Sequence, residues 1–253
     1  MKAPFFSVVI PTLNEEVALP VLLKDLTRQI YDDFEVIHVD GRSDDKTVER
    51  AGKFADELSL RTVPCRERNV SVQRNKGGEL ARGQWIIFLD ADVQLNDDFL
   101  LGIRYKISTF ERRGRHLDVF STLIALNDVD KEKTKHVISM RVINSFLQST
   151  AASDAPRLFG AMIGVRRKLF KEVHFDRKVK FAEDVEFVKQ CIIHNGVYRI
   201  FRAPTYKYDM RRWDEKSLPA TTINAIKLQI QLMLDKETDY EMSGGTKYKS
   251  DPK

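Results

Sequence analysis

Cysteine is scarce in this chain: there are two in 253 residues, Cys65 and Cys191, far apart and in no CxxC spacing. That excludes a disulfide framework and a thiolate zinc site, and predicts two buried, reduced thiols in a reducing compartment. Long apolar runs are missing as well. The opening MKAPFF is too short in apolar length for a signal peptide. No stretch approaches the roughly 20 apolar residues of a membrane span. The expectation is a cytoplasmic protein, with peripheral contact at the cytoplasmic membrane face left open. Glycine is absent where nucleotide folds use it. No G-x-G-x-x-G follows the first strand pattern, and no GxxxxGK[ST] loop occurs. Dinucleotide-type and Walker-type grips on phosphate are therefore excluded.

What is present is ordinary for a globular protein, 42% hydrophobic and 31% charged. The length suits one large domain, or a domain with a small appendage. A formal charge of +5 favours anionic partners, of which nucleotide phosphates and phospholipid are two. Nucleic acid is set aside, because the basic residues are not interleaved with aromatics as in single-strand binders.

Strand patterns fall at 5–10, 34–39, 58–63 and 85–89, with helical patterns at 15–28, 45–57 and 70–82 between them. Pro20 is expected to set the effective start of the first helix, and Ser43 to cap the second. Such alternation predicts a mainly parallel, right-handed sheet. Beyond residue 92 the rhythm loosens: helix 97–112, strand 117–126, helix 133–148, and a strand entering a short helix within RLFGAMIGVRRKLF. Helix 183–194 and strand 197–201 follow. An amphipathic helix at 218–234 carries Ile223, Ile226, Ile230, Met233 and Leu234 at helical spacing, ahead of a polar tail.

The most informative stretch is WIIFLDADV, in which five large apolar residues run straight into Asp90, Ala91 and Asp92. If strand alternation continued, the two carboxylates would face the same way, ~6.6 Å apart. Like charges that close call for something cationic between them. Two other strand ends carry polar turns, VVIPTLNEE and VIHVDGRSDDKT, and open parallel sheets bind ligands at such carboxyl ends.

Together these turns resemble the family 2 glycosyltransferases of the GT-A fold. The family's opening motif is similar to IPTLNEE. Its D-x-x-S-x-D-x-T turn appears as Asp40-Gly41-Arg42-Ser43-Asp44-Asp45-Lys46-Thr47, and its ARNxGxxxAxGxWIxFLDxD block as SVQRNKGGELARGQWIIFLDADV. An acceptor-side block looks like GAMIGVRRKLF, followed by FAEDVEF. The resemblance covers roughly residues 5–202, in the family's order.

That resemblance implies an α/β fold of GT-A type, a Rossmann-like, mainly parallel sheet flanked by helices, with a smaller mixed acceptor-side region. Residues 1–214 would form the glycosyltransferase domain, about 1–100 its nucleotide-sugar half and about 101–214 its acceptor half. Residues 215–253 would add the amphipathic helix and a flexible tail. The implied reaction is inverting and metal-dependent, moving a sugar from a UDP- or GDP-linked donor to a hydroxyl acceptor such as a glycan or lipid-linked molecule. Asp92 would meet Mn²⁺ or Mg²⁺, with Asp90 on the ribose or on the metal through water. Pro11, Thr12, Asn14, Glu15 and Asp40 would line base and ribose. Arg74, Gly77 and Ala91 would flank the donor, and Arg211 and Arg212 would clamp its diphosphate. Asp184 would be the catalytic base, with Glu183 orienting the acceptor or the base. Gly160, Ala161 and Trp213 would lie on the acceptor side.

The chain departs from the family in places. Leu13 stands where an aromatic is common, and Gly41-Arg42 replaces the commoner Asp-Gly. Arg211-Arg212-Trp213 only partly matches the signature of processive synthases, with Asp209 in the first position. Bland roles stay open for several residues: Arg74 as a surface arginine paired with Glu79, Glu183 and Asp184 as helix-capping acids. Two other functions also stay open. One is an aspartyl-phosphate phosphohydrolase with Asp90 as nucleophile and Asp92 as acid; the other is a non-catalytic nucleotide-sugar-binding module. The motifs leave the donor base, the acceptor and the oligomeric state undecided.

Overall fold

A computed structural model of the chain describes residues 3–150, 160–179 and 182–208. Its first half alternates β1 (Phe6–Thr12), α1 (Ala18–Thr27), β2 (Phe34–Asp40), α2 (Thr47–Gly52), β3 (Leu60–Pro64), α3 (Val70–Leu80) and β4 (Trp85–Leu89). After a turn come β5 (Val93–Gln94), α4 (Phe99–Arg112), β6 (Val119–Leu126), α5 (Asp128–Lys131) and α6 (Thr134–Thr150). The rest is β7 (Met162–Arg166), α7 (Arg167–Phe170), α8 (Glu183–Ile193) and β8 (Tyr198–Tyr208).

The strands make one mixed sheet in the order β3-β2-β1-β4-β7-β6-β8-β5. β1 to β4 run parallel, as the alternation predicts. β7 then enters antiparallel to both β4 and β6, and β5 lies antiparallel to β8. Strand order reverses direction at β1, so the crevice outside the carboxyl ends of β1 and β4 is the topological switch point.

The apolar run of β4 is explained by two cores. Trp85, Ile87 and Leu89 join the layer formed with α1 and α4; Ile86 and Phe88 join Phe170, Phe175 and Phe187 on the other face. A strand with both faces covered has no solvent face on which to alternate. Each of these side chains contributes about 1.5–3 kcal/mol on burial. By contrast β3 is an edge strand with exposed Arg61 and Thr62, which is why its sequence pattern is weak.

Several boundaries differ from expectation. α1 begins at Ala18 rather than residue 15, which puts Pro20 in the first turn, where its missing N–H costs nothing. α2 is shorter than 45–57 and is not capped by Ser43, whose hydroxyl instead accepts the Asn14 N–H at 2.9 Å. β8 extends seven residues past the expected end at 201. Its register against β6 jumps from Thr122↔Phe201 to Ile124↔Tyr206, skipping Pro204, which has no N–H to give the ladder. β4 ends at Leu89 and Ala91–Asp92 form a turn, so strand alternation does not carry from Asp90 to Asp92. Both cysteines are buried free thiols. No helix among the described residues is long and apolar enough to cross a membrane. Arg211, Arg212, Trp213 and the helix expected at 218–234 lie outside the described residues.

Candidate active site

The turns after β1 and β2 are sewn to each other by the residues that make the two motifs recognisable. Asn14, at φ 58°, gives its N–H to Ser43 Oγ and accepts the Asp44 N–H on Oδ1 at 2.8 Å. The Glu15 N–H donates to Thr47 Oγ1 (2.8 Å), and the Glu16 N–H to Asp45 Oδ2 (3.1 Å). Ser43, Asp45 and Thr47 are therefore occupied in holding the turns. Glu15 is buried, and so are Pro11 and Thr12 at the end of β1.

Asp40 closes β2 at the same end of the sheet. Its Oδ2 accepts the Ser43 N–H at 3.1 Å, and its Oδ1 takes a longer bond, 3.4 Å, from the Thr12 hydroxyl. Beneath it His38 bridges Thr12 Oγ1 (2.8 Å) and Thr62 Oγ1 (3.1 Å). Burial lowers the His38 pKa to about 4, with Asp40 opposing, so the ring is neutral near pH 7. A neutral imidazole both donates and accepts, as the two hydroxyls require. Sequence reasoning missed His38; the signal was a polar residue inside the buried strand VIHVD.

Arg74 is the centre of the site. It lies on α3, whose N-cap Asn69 accepts the Val72 N–H at 3.1 Å. Its side chain is 3% exposed. Nη1 donates to Glu183 Oε1 at 2.7 Å and Nη2 to Asp90 Oδ1 at 3.0 Å, their side chains 16% and 36% exposed. Nη2 also reaches the Gly160 carbonyl at 3.3 Å, and the guanidinium lies 5.3 Å from the Phe175 ring centre. The bland alternative of a surface pair with Glu79 is overturned. The cation required beside Asp90 is supplied, at least in part, by the protein itself. Asn75 clamps the Phe175 backbone in both directions, at 2.8 and 2.9 Å.

Gly77 is not at the donor site. A Cβ there would collide with Val9 and press on Val39, so glycine serves the close approach of α3 to the sheet. Gly160 and Ala161 do come to the site, because the Asp90 N–H donates to the Ala161 carbonyl at 3.0 Å and extends the β4–β7 ladder by one residue. Ala91 is buried and Asp92 half-buried in the same turn. A Cβ on Gly160 would strike the Asp184 carboxylate.

Asp184 sits in the first turn of α8, which opens from Ala182 at φ 54° and carries three acids there, Glu183, Asp184 and Glu186. Burial and the neighbouring Glu183 charge push its pKa up to about 7, against Arg74 and the helix N–H groups, which pull it down. Buried Tyr198 and Tyr206 of β8 lie close enough to feel its charge; burial and that charge raise both phenols. The arrangement brings a carboxyl able to take a proton near neutrality within one guanidinium of an acidic turn at the switch point.

A profile of the family described as glycosyl transferase family 2 matches residues 7–174. The chain belongs to that family. Over 97 residues it is 43% identical to a PGL/p-HBAD biosynthesis glycosyltransferase of Mycobacterium bovis, covering 38% of each protein. Over 229 residues it is 27% identical to the poly(ribitol-phosphate) beta-N-acetylglucosaminyltransferase TarS of Staphylococcus aureus, covering 83% of this chain and 36% of TarS. The chain thus spans under two-fifths of either relative. Its fold is similar to TarS 1–349 in complex with UDP, with TM-score 0.64 and 21% identity over 93% of this chain and 67% of that one. It is also similar to the Pyrobaculum calidifontis mannosyltransferase PcManGT in complex with GDP-Man and Mn²⁺, with TM-score 0.66 and 19% identity over 94% and 66%. The fold of this family 2 chain is of the GT-A type, and the family match leaves the phosphohydrolase alternative without support.

Proposed function

We infer that the chain is an inverting glycosyltransferase that moves a sugar from a UDP- or GDP-linked donor to a hydroxyl of a glycan or lipid-linked acceptor. The observation that carries this is that Asp40 and Asp90 end β2 and β4 at the same edge of the parallel sheet, on either side of β1, while Arg74 joins Asp90 to Glu183 beside Asp184. Asp40 accepts an imide N–H of the base, with Pro11, Thr12, Asn14 and Glu15 walling base and ribose. Asp184 takes the acceptor hydroxyl's proton as its oxygen bonds to the anomeric carbon. The bond from that carbon to the diphosphate breaks on the opposite face, and the electron pair leaves with the nucleoside diphosphate. No covalent intermediate is needed, and general-base help of this kind contributes ~10²–10⁴-fold. Gly160 and Ala161 border the acceptor.

The residues present fit a divalent ion. Asp92 and Asp90 offer hard oxygen donors, and among the described residues no cluster of three or more metal-ligating side chains occurs. Mg²⁺ and Mn²⁺ are commonly held by one or two carboxylates together with substrate phosphates. When bound, the ion neutralises charge on the departing diphosphate.

Residues 1–214 are taken as the working unit, with the donor half ending near residue 100. Thermal shift with UDP and with GDP, each with and without Mn²⁺, tests the reading. One diphosphate should stabilise the fold in a metal-dependent way, by about 2.7 kcal/mol at a hundredfold excess over Kd. No shift with either nucleotide refutes it. The +5 charge suits an anionic lipid surface. Flotation with anionic vesicles should then carry the protein upward, and failure to float removes the membrane component.

A further inference from the structure

We propose that Arg74 is a positioning residue that braces Asp184 from two sides and does not bind the donor. The inference rests on the transferase reading above and assigns a part within it. A guanidinium that grips a diphosphate needs an edge open to the ligand, and here even Nε, which has no hydrogen-bond partner, is buried. Its side chain is 3% exposed, and both terminal nitrogens are committed to protein acceptors: Glu183 at 2.7 Å, Asp90 at 3.0 Å and the Gly160 carbonyl at 3.3 Å. Its Cζ lies over the Phe175 ring, 5.3 Å from the centre, and the side-chain amide of Asn75, the next residue on α3, holds the Phe175 backbone through its N–H and C=O. The cation is fixed from below as well as at its tips.

Two of its three acceptors adjoin Asp184. Glu183 precedes Asp184 at the start of α8. Gly160 is the wall on which the Asp184 carboxylate rests, so closely that a methyl group would not fit. A fork that fixes both fixes the carboxylate between them. Through Asp90 the same fork ties that carboxylate to the turn after β4, where the donor is bound. Lysine carries the charge but has neither the planar fork nor the second donor direction. Displacing a catalytic group by about 1 Å costs roughly 10²-fold in rate.

The test uses the full chain, the Mn²⁺ complexes of UDP-GlcNAc and GDP-mannose as donors, and water in place of the unidentified acceptor. Donor hydrolysis gives kcat and KM, and nucleotide thermal shift gives binding independently of turnover. For R74K the expected result is a donor KM and a nucleotide shift within twofold of wild type, with kcat lower by about 10²-fold. Millimolar guanidinium, but not urea, should restore part of the rate to R74A. A raised KM or lost nucleotide shift with kcat retained makes Arg74 a donor ligand and overturns the proposal. Unchanged kinetics in R74K overturn it too. Should R74A fail to fold, R74K and E183Q decide: each should lower kcat at unchanged KM, and the double variant should lose little more than either alone. Independent, multiplying losses contradict the brace. A wild type that binds and hydrolyses neither donor overturns the transferase reading and the brace with it, whereas a defect confined to the variants' donor binding overturns only the brace.

Discussion

Replacing Asp184 by asparagine removes a carboxylate that the fold holds under strain. Burial and Glu183 move its pKa from 3.8 to about 7, despite Arg74. At 1.36 kcal/mol for each tenfold step, that displacement destabilises the ionised group by roughly 4 kcal/mol at most. Asp184 keeps some contact with solvent, and screening there cuts the figure to about 2 kcal/mol. The sign follows from linkage. A raised folded pKa favours the protonated fold, so the stabilising contribution is complete below 3.8 and is lost as pH rises through about 7. D184N should therefore be more stable than wild type at pH 8, by about 4–8 °C in Tm for a domain of this size. The gap should narrow as pH falls toward 4. At the same time donor turnover should fall by ~10²–10⁴-fold. Scanning calorimetry at a series of pH values reads the first effect, and donor hydrolysis the second. A D184N protein no more stable than wild type at pH 8, or a gap independent of pH, refutes the reasoning about this carboxyl.

Other substitutions probe single contacts. Gly160→Ala puts a methyl group into the Asp184 carboxylate and should lower kcat by about 10²-fold with the near-UV circular dichroism unchanged. Gly77→Ala collides with Val9 in the α3–β1 interface and should cost about 1–3 kcal/mol in urea unfolding, while the nucleotide shift per mole of folded protein persists. Ala182→Gly relieves the left-handed backbone at φ 54° and should stabilise by about 1 kcal/mol, provided the loop keeps its path.

The parts of the fold that could be read from sequence are those in which a residue's role depends on near neighbours. WIIFL is apolar throughout because β4 is covered on both faces, and the leucines of α1 recur at helical spacing because one face meets the sheet. What escaped depends on distant partners. Ser43 has the composition of an N-cap, yet its hydroxyl is taken by the Asn14 N–H, 29 residues away. Arg74 looks like a surface helix arginine until Asp90 and Glu183, 16 and 109 residues on, are placed beside it. β5 is two residues long, too short for any pattern, and β8 is interrupted where Pro204 withholds an N–H. The four motifs announced the site because their polar residues knit turns together. Other members of the same motifs serve the fold: Ser43, Asp45 and Thr47 hold the turns, Asn75 holds Phe175, and Gly77, expected beside the donor, lets α3 approach the sheet.

The central claim is that a metal-bound diphosphate sits at the tips of β1, β2 and β4, with Asp184 across the anomeric carbon from it. Crystals soaked with Mn²⁺ and the nucleotide that gives the thermal shift, measured at the manganese edge, test this directly. The account predicts an anomalous peak at Asp92 and base density within hydrogen-bond reach of Asp40. Manganese and nucleotide bound elsewhere, with the turn after β4 empty, contradict it.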